Sequence, residues 1–126
     1  MATLTPSLSL TIDYSSVGAT TGSLIISVDD ALTVTSPLTN LSSKVVATGA
    51  ASELIPTNSA TSYIYIKAVS EAADSSSFLQ VKIGSHAVIR LDVGEFLFTP
   101  IYNGYAVNCE SYNSAVTVEF GSWTKG

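Results

Sequence analysis

Residues 61–69 read TSYIYIKAV, and the alternation in them limits what the whole chain can become. Tyr63, Tyr65 and Lys67 fall on one side of a two-residue period, and Ile64, Ile66 and Ala68 on the other. Side chains repeat with that period only along an extended strand. The i, i+3, i+4 spacing of an amphipathic helix is nearly missing, and β-branched residues occur throughout. Similar runs recur at SLSLTIDY (7–14), SLIISV (23–28), ALTVTS (31–36), KVVAT (44–48), FLQVKI (78–83), AVIRL (87–91), EFLF (95–98), GYAVNCESY (104–112) and AVTVEFGSW (115–123). Turn residues separate most of these runs. The pattern predicts an all-β fold: an antiparallel β-sandwich, jelly-roll-like, of about 8–10 short strands. Residues 1–126 form one domain by size, able to bury a core without disulfide or metal. Residues 1–14 are expected to be an extended N-terminal arm or an edge strand. The stretch near 49–61, GAASELIPTNSA, reads as loop.

Two hairpins are legible in more detail. Asn103-Gly104 lies between Tyr102 and Tyr105, and Asn-Gly is the strongest two-residue hairpin signal. In FLQVKI-GS-HAVIRL, a two-residue Gly84-Ser85 turn would pair Ile83 with His86 and split the apolar sets between faces. A one-residue shift aligns Leu79, Val81 and Ile83 with Leu91, Ile89 and Ala87. Burial favours the second register, which predicts an odd-length loop or a bulge at 84–86.

Composition narrows the function classes. Only 12% of the residues are charged and 46% are apolar. Ten acids against five bases leave a net charge of −5, and the bases Lys44, Lys67, Lys82, Arg90 and Lys125 are scattered. Nucleic-acid binding needs clustered positive charge, so no nucleic-acid partner is expected. No phosphate-binding glycine loop is present. The start, MATLTPSLSLTIDY, lacks the basic region and apolar core of a secretory signal, so synthesis in a cytoplasm without signal-directed export is expected. No run approaches the roughly 20 apolar residues of a spanning helix, and no membrane partner is expected.

Candidate chemistry is sparse. His86 and Cys109 are the only histidine and the only cysteine, and a thiolate–imidazole pair would need them in hydrogen-bond reach. Cys109 sits in a strand pattern, where it reads more simply as a small apolar residue. One His and one Cys cannot build a structural zinc site, and Asp29-Asp30 lacks the alternate spacing of a calcium loop. Asp92/Glu95 and Glu110/Glu119 are conceivable carboxylate couples, but both read as solvated turn or strand positions. Asn40-Leu41-Ser42 matches a glycosylation triplet by chance. No catalytic, cofactor-binding or metal-ligating residue is assigned, no cofactor is expected, and the chain is expected not to be an enzyme. Tyrosines combine apolar area with a polar tip and suit interfaces. Candidate interface residues are therefore Tyr63, Tyr65, Tyr102 and Tyr105, with Leu8, Leu10 and Ile12 of the arm.

YIYIKAV, FLQVKIGSHAVIRLDVGEFLFTP and AVTVEFGSW, spanning roughly residues 61–123, resemble small virion structural proteins of tailed bacteriophages. The usual turn before the Glu often carries Pro-Gly in these proteins, whereas here it reads Val93-Gly94. Residues 1–60 carry no such likeness. The resemblance implies a bacteriophage structural protein located in the virion: a capsid decoration or cement protein. The implied partners are other virion proteins, the major capsid protein first, and further copies of the chain as a homo-oligomer, with a trimer as the first guess. A tail or head fibre or adhesin component binding host surface glycans through its tyrosines is the alternative.

The segment RLDVGEFLFTP (90–100) tests the reading locally. Phe96 and Phe98 share one face of a strand, with Glu95 and Leu97 on the other. Two aromatics two residues apart predict packing between the sheets. An exposed ring at either position would mark a subunit contact instead.

Overall fold

A computed structural model describes residues 2–13, 23–29, 31–36, 41–57, 62–73, 76–102 and 104–125. Among these the chain is all-β and antiparallel. The strands are β1 (Ala2–Leu4), β2 (Ser7–Asp13), β3 (Ser23–Asp29), β4 (Leu32–Ser36), β5 (Ser42–Val46), β6 (Ser52–Ile55), β7 (Ser62–Glu71), β8 (Phe78–Ile83), β9 (Ala87–Asp92), β10 (Phe96–Ile101), β11 (Val107–Tyr112) and β12 (Val116–Lys125). A six-stranded sheet runs β1-β4-β12-β7-β10, with β5 also on β12, and a four-stranded sheet runs β6-β11-β8-β9. The two sheets bury one core between them, as in a β-sandwich.

From β5 onward the pairings nest. β8 pairs β9, β7 pairs β10, β6 pairs β11 and β5 pairs β12. The body is thus one long hairpin with its tip at residues 84–86, rolled so that successive nested pairs alternate between the sheets. Rolling adds the contacts β7–β12 and β8–β11. The tip register is the expected one: Leu79↔Leu91, Val81↔Ile89, Ile83↔Ala87. A three-residue loop closes it, with the His86 N–H donating to the Ile83 carbonyl at 3.2 Å and Gly84 at φ +58°.

The core is built from aliphatic side chains and one thiol. Val46, Ile64, Ile66, Ala68, Val116 and Val118 of the larger sheet face Leu54, Leu79, Val81, Leu91, Val107 and Cys109 of the smaller one. The two faces of β7 separate as read, and the structure turns Ile64, Ile66 and Ala68 inward.

Four expectations are corrected. The Asn103-Gly104 turn does not close a hairpin, because β10 lies in one sheet and β11 in the other. The segment carries the chain across the sandwich; Asn103 lies outside the described residues, and Gly104 has φ +87°. The stretch read as loop near 49–61 contains β6, which pairs with β11. A register shift there skips Leu54, so Leu54 and Ile55 are both buried in sequence. A bulge of this kind breaks the alternation that makes a strand legible. The strand total of about 8–10 falls short of the twelve among the described residues, mainly because β1 and β6 are short. Finally, Phe96 and Phe98 are not in the core. The faces alternate as read, but Leu97 sits opposite Ile66 and Phe98 opposite Tyr65, so Leu97 turns inward.

The turn before β10 explains that choice. The Glu95 N–H donates to the Asp92 carbonyl (2.9 Å), the Gly94 N–H to the Ala68 carbonyl (2.7 Å), and the Ala68 N–H to the Glu95 carbonyl (3.1 Å), with Gly94 at φ +97°. This is a tight turn with a glycine bulge, and it re-aims the chain from one sheet into the other. The Glu95 carboxylate accepts the Asp92 N–H at 2.8 Å and holds the turn closed.

Strands β1 to β4 form a second ribbon. Its register is the same in both pairs, Ala2↔Val34 to Leu4↔Leu32 and Ser7↔Asp29 to Asp13↔Ser23. The base, β1 and β4, joins the six-stranded sheet, while β2 and β3 pair only with each other among the described residues.

Candidate interaction surface

Period two and the β7–β10–β12 register gather aromatic residues on the outer side of the six-stranded sheet. Tyr63 stacks on Phe98 with ring centroids 6.0 Å apart and planes 8° from parallel, and Phe98 meets Trp123 at 6.5 Å. The Lys125 ammonium lies 5.1 Å from the Tyr63 ring centroid, in reach of its π-face. The Tyr65 hydroxyl donates to Glu119 Oε1 at 3.2 Å. Burial, that hydrogen bond and the negative charge of Glu119 together raise the Tyr65 pKa above its usual value.

This aromatic face ends at an apolar groove of about 550 Å³. Residues 6–8, Leu32 and residues 96–98 line it. Its walls thus come from both ends of one sheet, so the sheet curls until the ribbon base and β10 border the same gap. Phe96 is 53% exposed there. Leu8, in the groove wall, is 38% exposed, and Leu10, further along the ribbon, is 47% exposed.

The other surfaces are more polar. On the outside of the four-stranded sheet, Arg90 lies 3.9 Å over the Phe78 ring, which stacks on Tyr112 at 4.9 Å. Arg90 Nε also bonds Asp92 Oδ1 at 2.8 Å, and the Tyr112 hydroxyl reaches Gln80 at 3.2 Å. At the rolled hairpin's tip, Tyr105 contacts His86 edge-on at 5.1 Å and Tyr102 at 6.4 Å, with Tyr102 70% exposed.

The candidate residues therefore separate. Tyr63 is buried beneath Phe98, and Tyr65 is tied to Glu119, so they do not form a flat open pair. Tyr102 and Tyr105 do meet. Leu8 and Leu10 are exposed, while the side chain of Ile12 lies outside what is described. Sequence reasoning missed Leu32 and the ribbon base as groove walls, because the groove forms only where the two ends of the sheet approach. Phe96 is the exposed ring of the two phenylalanines.

Cys109 and His86 are not brought together. The thiol lies in the core, and the imidazole sits on the exposed tip against Tyr105. Burial pushes the thiol pKa up to about 11, against a smaller lowering by Lys44. Glu110 and Glu119 stand on opposite outer faces. Asp92 and Glu95 are joined to the turn and to Arg90. Asp30 and Asn40 lie outside the described residues. Among the described residues no group of three His, Cys, Asp or Glu side chains is placed to hold a metal. No protein-family model, curated protein or solved structure matches the chain.

Proposed function

We propose that this chain is a structural protein of a virion that decorates and stabilises a capsid through protein–protein interfaces. The observation that carries the reading is the apolar surface running from Phe96 across the groove to Leu8 and Leu10. Contiguous apolar surface of this kind marks contact sites. The nested pairing of β5 to β12 fits the jelly roll expected from the sequence, with its two interlocked Greek keys. A fold does not carry a function by itself; here it supports the resemblance of residues 61–123 to phage virion proteins. On a capsid lattice, many copies of a modest contact gain strength by avidity.

Quantitative mass spectrometry of intact, gradient-purified particles from the source tests the proposal. The chain is expected at a stoichiometry near that of the capsid subunits, and its absence from intact particles overturns the reading. The exposed Tyr102 beside Tyr105 favours a second reading, a fibre or adhesin component that stacks on host glycans. Reproducible glycan-array binding lost in Tyr102→Ala and Tyr105→Ala would replace decoration with adhesion.

A further inference from the structure

We infer that the outer face of the four-stranded sheet binds a neutral oligosaccharide laid across β9, β8 and β11. The site is separate from the Phe96 groove and from the Tyr102–Tyr105 tip. It stands on its own residues and does not depend on the virion reading.

Register builds the face. Period two turns Leu79, Val81, Leu91 and Cys109 into the core, so the alternate residues of the same strands face outward. Pairing lines these up in ranks across the strands. The middle rank is Glu110–Gln80–Arg90. Asn108 and Lys82 flank it on the side of the hairpin tip, and Tyr112, Phe78 and Asp92 on the far side.

The polar groups of the face are held in place. Arg90 lies 3.9 Å over the Phe78 ring and donates from Nε to Asp92 Oδ1 at 2.8 Å. These contacts pin the guanidinium plane and leave its two Nη groups to donate to a ligand. Phe78 stacks on Tyr112, whose hydroxyl donates to Gln80 Oε1 at 3.2 Å. With its carbonyl oxygen engaged, the Gln80 amide has its NH2 to offer. Groups fixed in this way lose little freedom on binding.

Two recesses end the middle rank. One, of about 10 Å³, lies among Gln80, Lys82, Asn108 and Glu110 and has room for a single hydroxyl. The other, of about 380 Å³, lies beside Arg90 and Asp92 and reaches Glu71 and Ser76, a size common among small-molecule sites. The rank between them crosses two strand spacings, about 10 Å, which is a disaccharide's length.

Chemistry selects the ligand. Lys82 and Arg90 stand among Glu110 and Asp92, so the face has no excess of positive charge to hold a polyanion. Charged groups occupy its centre, where protein interfaces are depleted of them. Asp92 is committed to Arg90, and no three metal-ligating side chains converge among the described residues. A neutral polyhydroxyl chain fits what is offered: the guanidinium and amides donate to successive hydroxyls, and Glu110 and Asp92 accept from them in charge-assisted bonds. The face lies across the sandwich from the Phe96 groove, so a copy held through that groove still presents it.

The test applies the full chain to an array of neutral, sialylated and sulfated oligosaccharides, followed by calorimetric titration with the best neutral ligand. Neutral glycans are expected to bind. Gln80→Ala, Asn108→Ala and Arg90→Lys are each expected to weaken binding about tenfold, the loss of about one hydrogen bond, with the β signal in circular dichroism retained. Tyr102→Ala is expected to leave the affinity unchanged. The inference is overturned if no neutral glycan binds, if only acidic glycans bind, or if binding survives Gln80→Ala and Asn108→Ala. Loss of binding in Tyr102→Ala alone would move the site to the tip and overturn it as well. The content of purified particles is measured separately, and neither result there bears on this one.

Discussion

At the scale of single residues, two positions show how backbone and burial set constraints that side-chain type alone does not. Gly84 and Gly94 both have positive φ, but a Cβ on Gly84 would lie 2.8 Å from Tyr105 Cδ1, whereas one on Gly94 meets nothing within 4 Å. Gly94→Ala should therefore cost about 1–2 kcal/mol of backbone strain, and Gly84→Ala should cost more, as read from urea midpoints. Equal losses would mean that Tyr105 moves freely aside. Cys109 supplies a pH-dependent term. Its thiol pKa rises from 9.0 in the unfolded reference to about 11 in the fold. Between those values the unfolded chain loses a proton that the folded chain keeps, so stability falls as pH rises. The contribution is complete below pH 9 and lost as pH passes 11. Subtracting the unfolding free energies of Cys109→Ala from those of the wild type isolates it, and a flat difference across that range would refute it.

At the scale of elements, β10 decides between core and surface. Its aliphatic residue faces Ile66 across the strand pair, and its aromatic residues face outward. Leu97→Ala should cost ~2 kcal/mol or more through the cavity it leaves. Phe96→Ala, at a half-exposed site, should cost under ~0.5 kcal/mol in dilute, monomeric protein. Thermal denaturation of both variants checks the order, and a larger loss at Phe96 would place that ring in a core. The same strand shows where sequence reading stopped. Alternation in EFLF correctly separated Phe96 and Phe98 from Leu97, but a period of two does not say which side is inward. The bulge at Gly94 and Glu95 made that choice, through hydrogen bonds to Ala68, a residue distant in sequence.

At the scale of the whole molecule, the chain is two hairpins of different fate. The body hairpin rolls up and buries its own apolar face, while β2 and β3 pair only with each other among the described residues. Replacing residues 5–31 with Asn-Gly would join Leu4 directly to Leu32, which already pair, through a favoured two-residue turn. The shortened chain is expected to keep a cooperative transition and its β signal in thermal denaturation followed by circular dichroism. Loss of the cooperative transition would show that the ribbon belongs to the folding unit. The all-β class, the two-faced alternation of β7 and the β8–β9 register were determined by the sequence itself, because each follows from a local period or the alignment of one apolar set. The Asn-Gly segment, β6, the outward aromatics and the shared groove were decided only by the tertiary structure. Each depends on which distant strand supplies the hydrogen bonds, and neither a turn signal nor an alternation contains that information.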